Sequence, residues 1–281
     1  MPLPRIILAD RPLAPSPRAA RGPSGGRRRV AAVLARCAVA AMPALLTNCA
    51  PAQPPQASSA AAAPTAETLV DATRARSIPI LVYGAGSRPK PIALISHGYG
   101  GRNAGYSFLA HHLARRGFVV ASVQHELESD APLPTQGIPA VVRRPSWQQG
   151  VDNLTFVAAT MRARGIGSGA PVVLVGHSHG GDASMLMAEQ QPNAVRAVFS
   201  LDSRRMRFPR TRSPRICSVR SVDQVADPGV LPDPREAADL GMVIATVPGL
   251  EHNNMWDAAT PEQRHAVLQA LDSCLGTGRR T

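Results

Sequence analysis

The run Val172-Val173-Leu174-Val175-Gly176-His177-Ser178-His179-Gly180-Gly181 constrains this chain more than any other stretch. A short apolar segment rich in β-branched residues ends in Gly-x-Ser-x-Gly, and a helical pattern follows. That order is the sequence form of a nucleophile elbow. A strand stops, the chain turns sharply at the serine, and the hydroxyl stands above the sheet edge at a helix N-terminus. The turn strains the backbone at Ser178. Side chains at Gly176 and Gly180 would collide, so both positions must be small. An ordinary glycine-rich turn shares the five-residue pattern. The strand before, the helix after and the second glycine set this one apart.

Around the elbow the pattern alternates. Strands are expected at 68–71, 78–83, 91–96, 118–123, 171–175, 194–201, 215–219 and 242–247. Helices are expected at 104–116, 147–164, 179–190, 234–240 and 260–275, with a Pro-rich loop over about 126–146. Continuous apolar strands alternating with helices predict an α/β fold: a mostly parallel sheet covered on both faces. Ligands in such sheets sit beyond the carboxyl ends of the strands.

The net charge of +12 points less to a nucleic-acid partner than its size suggests. Residues 1–66 hold eight arginines against one acid, Asp10, and so supply +7 of it. Arg27-Arg28-Arg29 and Arg36 precede the apolar run 37–46, the pattern of a secretory signal. The run is too short for a membrane span, which needs roughly 20 residues. Leu46-Thr47-Asn48-Cys49 resembles a bacterial lipobox, with Asn48 departing from the usual small residue. Residues 50–66 are a Pro/Ala/Ser tract of tether composition. The expected organisation is a leader over 1–49, a linker over 50–66 and a catalytic domain over 67–281. The protein would be exported to the periplasm or cell envelope, with Cys49 as a membrane tether. Cys217 and Cys274 are the cysteines of the domain. They can pair after export, but two buried free thiols is the commoner arrangement. No Cys/His cluster has zinc spacing, and neither a dinucleotide fingerprint nor a P-loop occurs, so no metal or cofactor is implied.

A serine nucleophile needs a base, an acid and an oxyanion hole. His177 and His179 flank Ser178, but immediate neighbours on a sharp turn point away from it. Their expected role is packing and loop shaping. His252, in a loop just past the last strand, suits the base and the chain order nucleophile, acid, base. Three aspartates compete for the acid. Asp223, in the loop after the 215–219 strand, comes first, Asp227 second, and Asp202, at the end of the preceding strand, third. His97-Gly98-Tyr99-Gly100-Gly101 follows the third strand, and its glycines let backbone amides approach an oxygen closely.

With these residues in place, the chain resembles an α/β-hydrolase fold serine hydrolase over about residues 67–275. The stretch from Asp71-Ala72-Thr73-Arg74 through Pro79 to Tyr83 and the His97-Gly98-Tyr99-Gly100 loop resemble the dienelactone hydrolase and platelet-activating-factor acetylhydrolase-like branch. The resemblance implies a Ser178–His252–Asp triad, an acyl-enzyme intermediate, and an oxyanion hole from the Tyr99 and His179 amides. Its expected partner is a small-molecule ester. Dienelactone hydrolases proper use a cysteine nucleophile, so Ser178 argues against that narrow activity. No long insertion follows the 194–201 strand, so no lid domain is expected. The site should be open, edged by the Arg-rich segment 202–214 and the 126–146 loop. A non-catalytic member of the fold, or a thioesterase, amidase or peptidase with the same triad, is the alternative, since fold alone does not fix function.

Overall fold

The computed structural model describes residues 63–276. The expected leader, Cys37, Cys49 and most of the Pro/Ala tract lie outside the described residues. Among the described residues no helix is long and apolar enough to cross a membrane.

Eight strands form one sheet: β1 (Thr65–Asp71), β2 (Arg76–Tyr83), β3 (Ile92–Ser96), β4 (Val119–Val123), β5 (Val172–His177), β6 (Val195–Leu201), β7 (Arg215–Arg220) and β8 (Val243–Thr246). Their order is β1-β2-β4-β3-β5-β6-β7-β8. The β1–β2 hairpin and the β2–β4 pair are antiparallel. The five pairs from β4 through β3 to β8 are parallel. The chain runs outward from β3 to β4 and then returns to place β5 on the other side of β3. Such a reversal opens a crevice at the carboxyl ends of the two central strands. Both ends carry the glycine motifs noted above, so topology brings the Gly98 loop and Ser178 together.

Successive side chains of a strand point to opposite faces, and the central strands are apolar on both. In β5, Val172 and Leu174 enter one core with Trp147, Leu154 and Phe208. Val173 and Val175 enter the other, with Leu109, Val267 and Leu271. The first core lies under α3 (Arg144–Ala163) and α4 (Ser178–Gln190), the second under α1 (Ser107–Arg115) and α6 (Pro261–Leu275). These two layers bury β3, β4 and β5 completely.

The elements fall close to expectation, with local differences that have local causes. β1 starts at Thr65, inside the segment read as tether, because Thr65 already pairs with Val82. The 126–146 loop contains a short helix, α2 (Pro139–Val142), and α3 begins at Arg144. Both have proline in the first turn, where the missing N–H costs nothing. α5 (Pro234–Asp239) is capped by Asp233, whose carboxylate accepts the Glu236 N–H at 2.8 Å. No helical lid interrupts the segment between β6 and β7. Cys217 on β7 and Cys274 on α6 are not free thiols but a disulfide, Cα atoms 6.0 Å apart. The sheet carries Cys217 on the face that α6 covers, which brings the two within bonding range.

Candidate active site

Ser178 is the first residue of α4 and has φ +50°. That left-handed conformation is costly for a residue with a side chain and persists only where the surroundings dictate it. Here the glycines dictate it. A Cβ on Gly176 would stand 2.5 Å from the Gly180 carbonyl oxygen, and one on Gly180 would stand 2.4 Å from that of His97. β5, the elbow and the end of β3 are therefore packed backbone against backbone.

The hydroxyl of Ser178 lies 3.0 Å from Nε2 of His252. His252 opens a short 3₁₀ turn, His252–Asn254, in the loop after β8. Its Nδ1–H donates to Oδ2 of Asp202 at 2.6 Å, so Nε2 is free to accept the serine proton. The structure thus brings Ser178, His252 and an aspartate into one relay, but the aspartate is not Asp223. Leu201, the last residue of β6, pairs in register with His177 of β5. Asp202 follows at once, so the sheet itself sets it beside the elbow. Its φ of +55° turns the carboxylate inward, a conformation aspartate tolerates better than most residues. Asp223 lies farther along, beyond β7, and reaches only the backbone N–H of His252, at 2.7 Å. Asp227 points away and pairs with Arg205.

Asp202 is fully buried and fully satisfied. Oδ2 also accepts the Ser221 hydroxyl at 2.7 Å, and Oδ1 meets the Arg220 guanidinium at 2.7 Å. Burial alone would raise its pKa. The hydrogen bond from His252 and the Arg220 charge outweigh that and hold the carboxyl below its ordinary range. It is an anion placed to fix the imidazole tautomer and to face a positive charge there.

His177 is buried between two elements of the site. Its Nε2–H donates to the His252 carbonyl at 2.9 Å, and its Nδ1 accepts the Tyr106 hydroxyl at 2.7 Å. Tyr106 in turn accepts the Gly98 N–H at 3.2 Å. Burial, with the His252 ring nearby, pushes His177 down to about 3, so it stays neutral. His252 therefore has its N–H held by Asp223 and its C=O held by His177. The packing and loop shaping expected of His177 do not include this contact. No local signal could show which carbonyl it reaches.

His179 is neutral too, pushed down to about 4 by burial and by the Arg143 charge. Its Nδ1 accepts the Trp147 indole N–H at 3.1 Å, and its Nε2–H donates to the Ser146 hydroxyl at 2.9 Å. These bonds fix the first turn of α4, where backbone N–H groups have no helical acceptor. In the facing loop, the Gly101 N–H closes a turn onto the Gly98 carbonyl at 2.9 Å, with Gly100 at φ +73°. Glycine at the third position is what a type II turn requires. Among the described residues the Tyr99 and His179 amides take no part in the turn, loop and cap hydrogen bonds.

Two chambers lie at the elbow, one lined by His179 and Gly180 and the other by His177, and Tyr99 borders both. One, of about 330 Å³, lies on the His179 side under the 126–146 loop, with walls that mix Glu126, Ser146 and Gln149 with Leu133, Val142 and Pro145. The other, of about 490 Å³, lies on the His177 side against Trp256. The Arg-rich segment, expected at the edge of the site, borders neither. Arg205, Arg207 and Arg210 line a separate cleft with Pro139 and Ala140 of α2.

Comparison with known proteins agrees with this architecture. The model of the serine aminopeptidase (S33) family matches residues 87–201, a span that includes Ser178 and ends before Asp202 and His252. No curated protein sequence matches the chain. Among solved structures, a ferulic acid esterase from Streptomyces cinnamoneus is similar at 16% identity and TM-score 0.56, over 78% of this chain and 91% of that one. A dienelactone hydrolase from Anabaena variabilis is similar at 14% and 0.54, over 76% and 98%. An esterase from Rhizomucor miehei is similar at 14% and 0.56, over 75% and 81%. With the sheet order and the elbow, these likenesses establish that the chain has the α/β-hydrolase fold, in the company of dienelactone hydrolases and esterases.

Proposed function

We propose that the protein is a serine hydrolase that cleaves carboxylic esters through an acyl-enzyme. The observation that carries this reading is the unbroken relay from the Ser178 hydroxyl through His252 to Asp202, at 3.0 and 2.6 Å. The S33 family match and the esterase and dienelactone hydrolase neighbours support the hydrolase class.

In this reading Ser178 Oγ attacks the ester carbonyl carbon while its proton passes to His252 Nε2. The imidazolium is stabilised by the Asp202 carboxylate, which keeps its own negative charge. The carbonyl oxygen becomes an oxyanion facing the Tyr99 and His179 amides. Preorganised donors of this kind contribute about 3 kcal/mol each. The start of α4 adds the positive end of its dipole. The C–O bond then breaks, and His252 returns the proton to the departing alkoxide. Water enters, gives a proton to His252 and attacks the acyl carbon. Collapse releases the acid and restores the Ser178 hydroxyl.

The reading is tested by rapid mixing with p-nitrophenyl acetate. A stoichiometric burst of p-nitrophenolate, with an acetyl adduct on the Ser178 peptide, is the expected result. Turnover without an adduct would remove the acyl-enzyme. Because the S33 name is a peptidase's, an aminoacyl p-nitroanilide is the control; faster turnover of the anilide would move the assignment to amide chemistry.

We also infer export, with Cys49 as a lipid anchor. The basic-then-apolar leader supports export, as does the Cys217–Cys274 disulfide, a bond favoured in oxidising compartments. The mass of the mature N-terminus in the native host decides between a lipidated Cys49, simple secretion and an intact leader.

A further inference from the structure

The chamber on the His177 side has a character that the relay does not explain. Trp256 stands on its rim, 43% exposed, two residues after the turn that carries His252. Tyr99 is 52% exposed on the same chamber. Single exposed aromatics are ordinary, but two on one cavity that His177, the neighbour of Ser178, also lines form a contiguous surface for a ligand. Both rings are already fixed by their polar atoms. The indole N–H donates to the Asn253 carbonyl at 2.7 Å, and the Tyr99 hydroxyl accepts the Leu133 N–H at 3.2 Å. The indole has only ring surface left to offer, while Tyr99 keeps its O–H as a donor beside its ring. Trp256 has no aromatic partner among the described residues.

The rest of the chamber is equally specific. Gly98, Gly100, Gly101 and Gly105 supply much of its lining as bare backbone. A Cβ on Gly105 would come within 3.2 Å of the indole, and one on Gly98 within 2.9 Å of His177. The Asp257 carboxylate is occupied by the Ser107 and Phe108 amides, at 2.9 and 3.1 Å, at the start of α1. Gly105 touches one edge of the indole, and the ring surface of Trp256 that stays exposed suits a flat apolar group. It suits a puckered ring of equal hydrophobicity less well, because aromatic pairs gain from geometry beyond buried area.

We propose that this chamber holds an aryl group, so that the preferred substrates are esters carrying an aromatic ring in the acid or the alcohol. The chamber across Tyr99, the smaller of the two at about 330 Å³, takes the smaller remaining part of the ester. This assignment rests on the ester-hydrolase reading of the same site and narrows it to a substrate class.

The test uses two pairs of esters matched in apolar bulk: methyl phenylacetate with methyl cyclohexylacetate, and benzyl acetate with cyclohexylmethyl acetate. In at least one pair kcat/KM favours the aryl member by about fivefold, the scale of a specific aromatic contact. Trp256→Leu brings that ratio to about one. Equal rates within both pairs would overturn the proposal, and so would a preference that survives Trp256→Leu. If no ester is cleaved, the function is wrong, and the chamber is judged separately. Ser178→Ala is then titrated with 3-phenylpropan-1-ol and 3-cyclohexylpropan-1-ol. Tighter binding of the aryl alcohol, with quenching of tryptophan fluorescence that Trp256→Leu abolishes, supports the aryl chamber. Equal binding rejects it.

Discussion

The imidazole of His177 donates to the backbone carbonyl of His252 across 2.9 Å, tying the residue before Ser178 to the backbone of the proposed base. Two groups 75 residues apart in sequence are thereby held in one rigid unit, with Tyr106 fixing the tautomer from behind. His177→Phe keeps the ring and loses the donor. A small displacement of a catalytic group can cost about 10²-fold. The variant should therefore lose about 10- to 100-fold in kcat on p-nitrophenyl acetate, with KM within about threefold. Tyr106→Phe should lose less. A change confined to KM would show that the contact serves binding and not the placement of His252.

Asp202 and Asp223 both reach His252, and their asparagine variants should part company. Asp202→Asn removes the anion and favours the wrong imidazole tautomer, at a cost of about 10⁴ in kcat. Asp223→Asn keeps an oxygen for the His252 N–H and should stay within about threefold of wild type, whereas Asp223→Ala should lose roughly tenfold. Steady-state kinetics on one ester settles the matter. A crippled Asp223→Asn beside a healthy Asp202→Asn would reverse the assignment.

Asp182 makes stability depend on pH. It is buried in α4, four residues after Ser178, and accepts the Arg205 and Met206 amides at 3.1 and 3.0 Å. Burial outweighs those bonds and pushes its carboxyl up to about 7. A carboxyl raised on folding binds more protons in the native state than in the unfolded one. Its contribution is therefore present in acid and is lost as pH rises from about 4 towards 7. Asp182→Asn keeps an acceptor and removes the charge. Thermal melts should show it more stable than wild type at pH 8, by about 2–4 kcal/mol, and similar at pH 4. A lower Tm at pH 8 would mean that the carboxylate is compensated by Arg204 and Arg205.

The Cys217–Cys274 disulfide closes a loop of 57 residues between β7 and α6. The chain-entropy model assigns such a crosslink about 4 kcal/mol. Cys217→Ser with Cys274→Ser should lower Tm markedly, and dithiothreitol should lower the wild-type Tm but not that of the double variant. An equal effect of reductant on both would exclude the bond as the cause.

The legible parts of the molecule were those set by local chemistry. The apolar run of β5, the glycines and Ser178 announce strand, turn and helix together, and the folded chain shows why the glycines are needed, since a Cβ on Gly176 or Gly180 would meet backbone at 2.5 Å or less. His252 was legible because it follows the last strand. Loop position favours Asp223 and Asp227 over Asp202, which sits at a strand end. Its place beside the elbow comes from the β5–β6 register, in which His177 faces Leu201, and a single sequence does not print a register. The His177–His252 bond and the cysteine pair have the same cause, since each joins elements that only the sheet brings together. The start of β1 was missed because Thr65 and Ala66 have the composition of the tract before them, and only pairing with Val82 and Leu81 makes them strand.

The central claim is that Ser178 is a nucleophile activated by His252. A fluorophosphonate probe tests it most directly, because it reacts covalently with activated serines and needs no knowledge of the substrate. One adduct per wild-type molecule is expected, located by mass spectrometry on the peptide holding Ser178. None is expected on Ser178→Ala, and labelling of His252→Ala should be strongly slowed. An adduct of equal yield on Ser178→Ala, or none on folded wild-type protein, would contradict the claim.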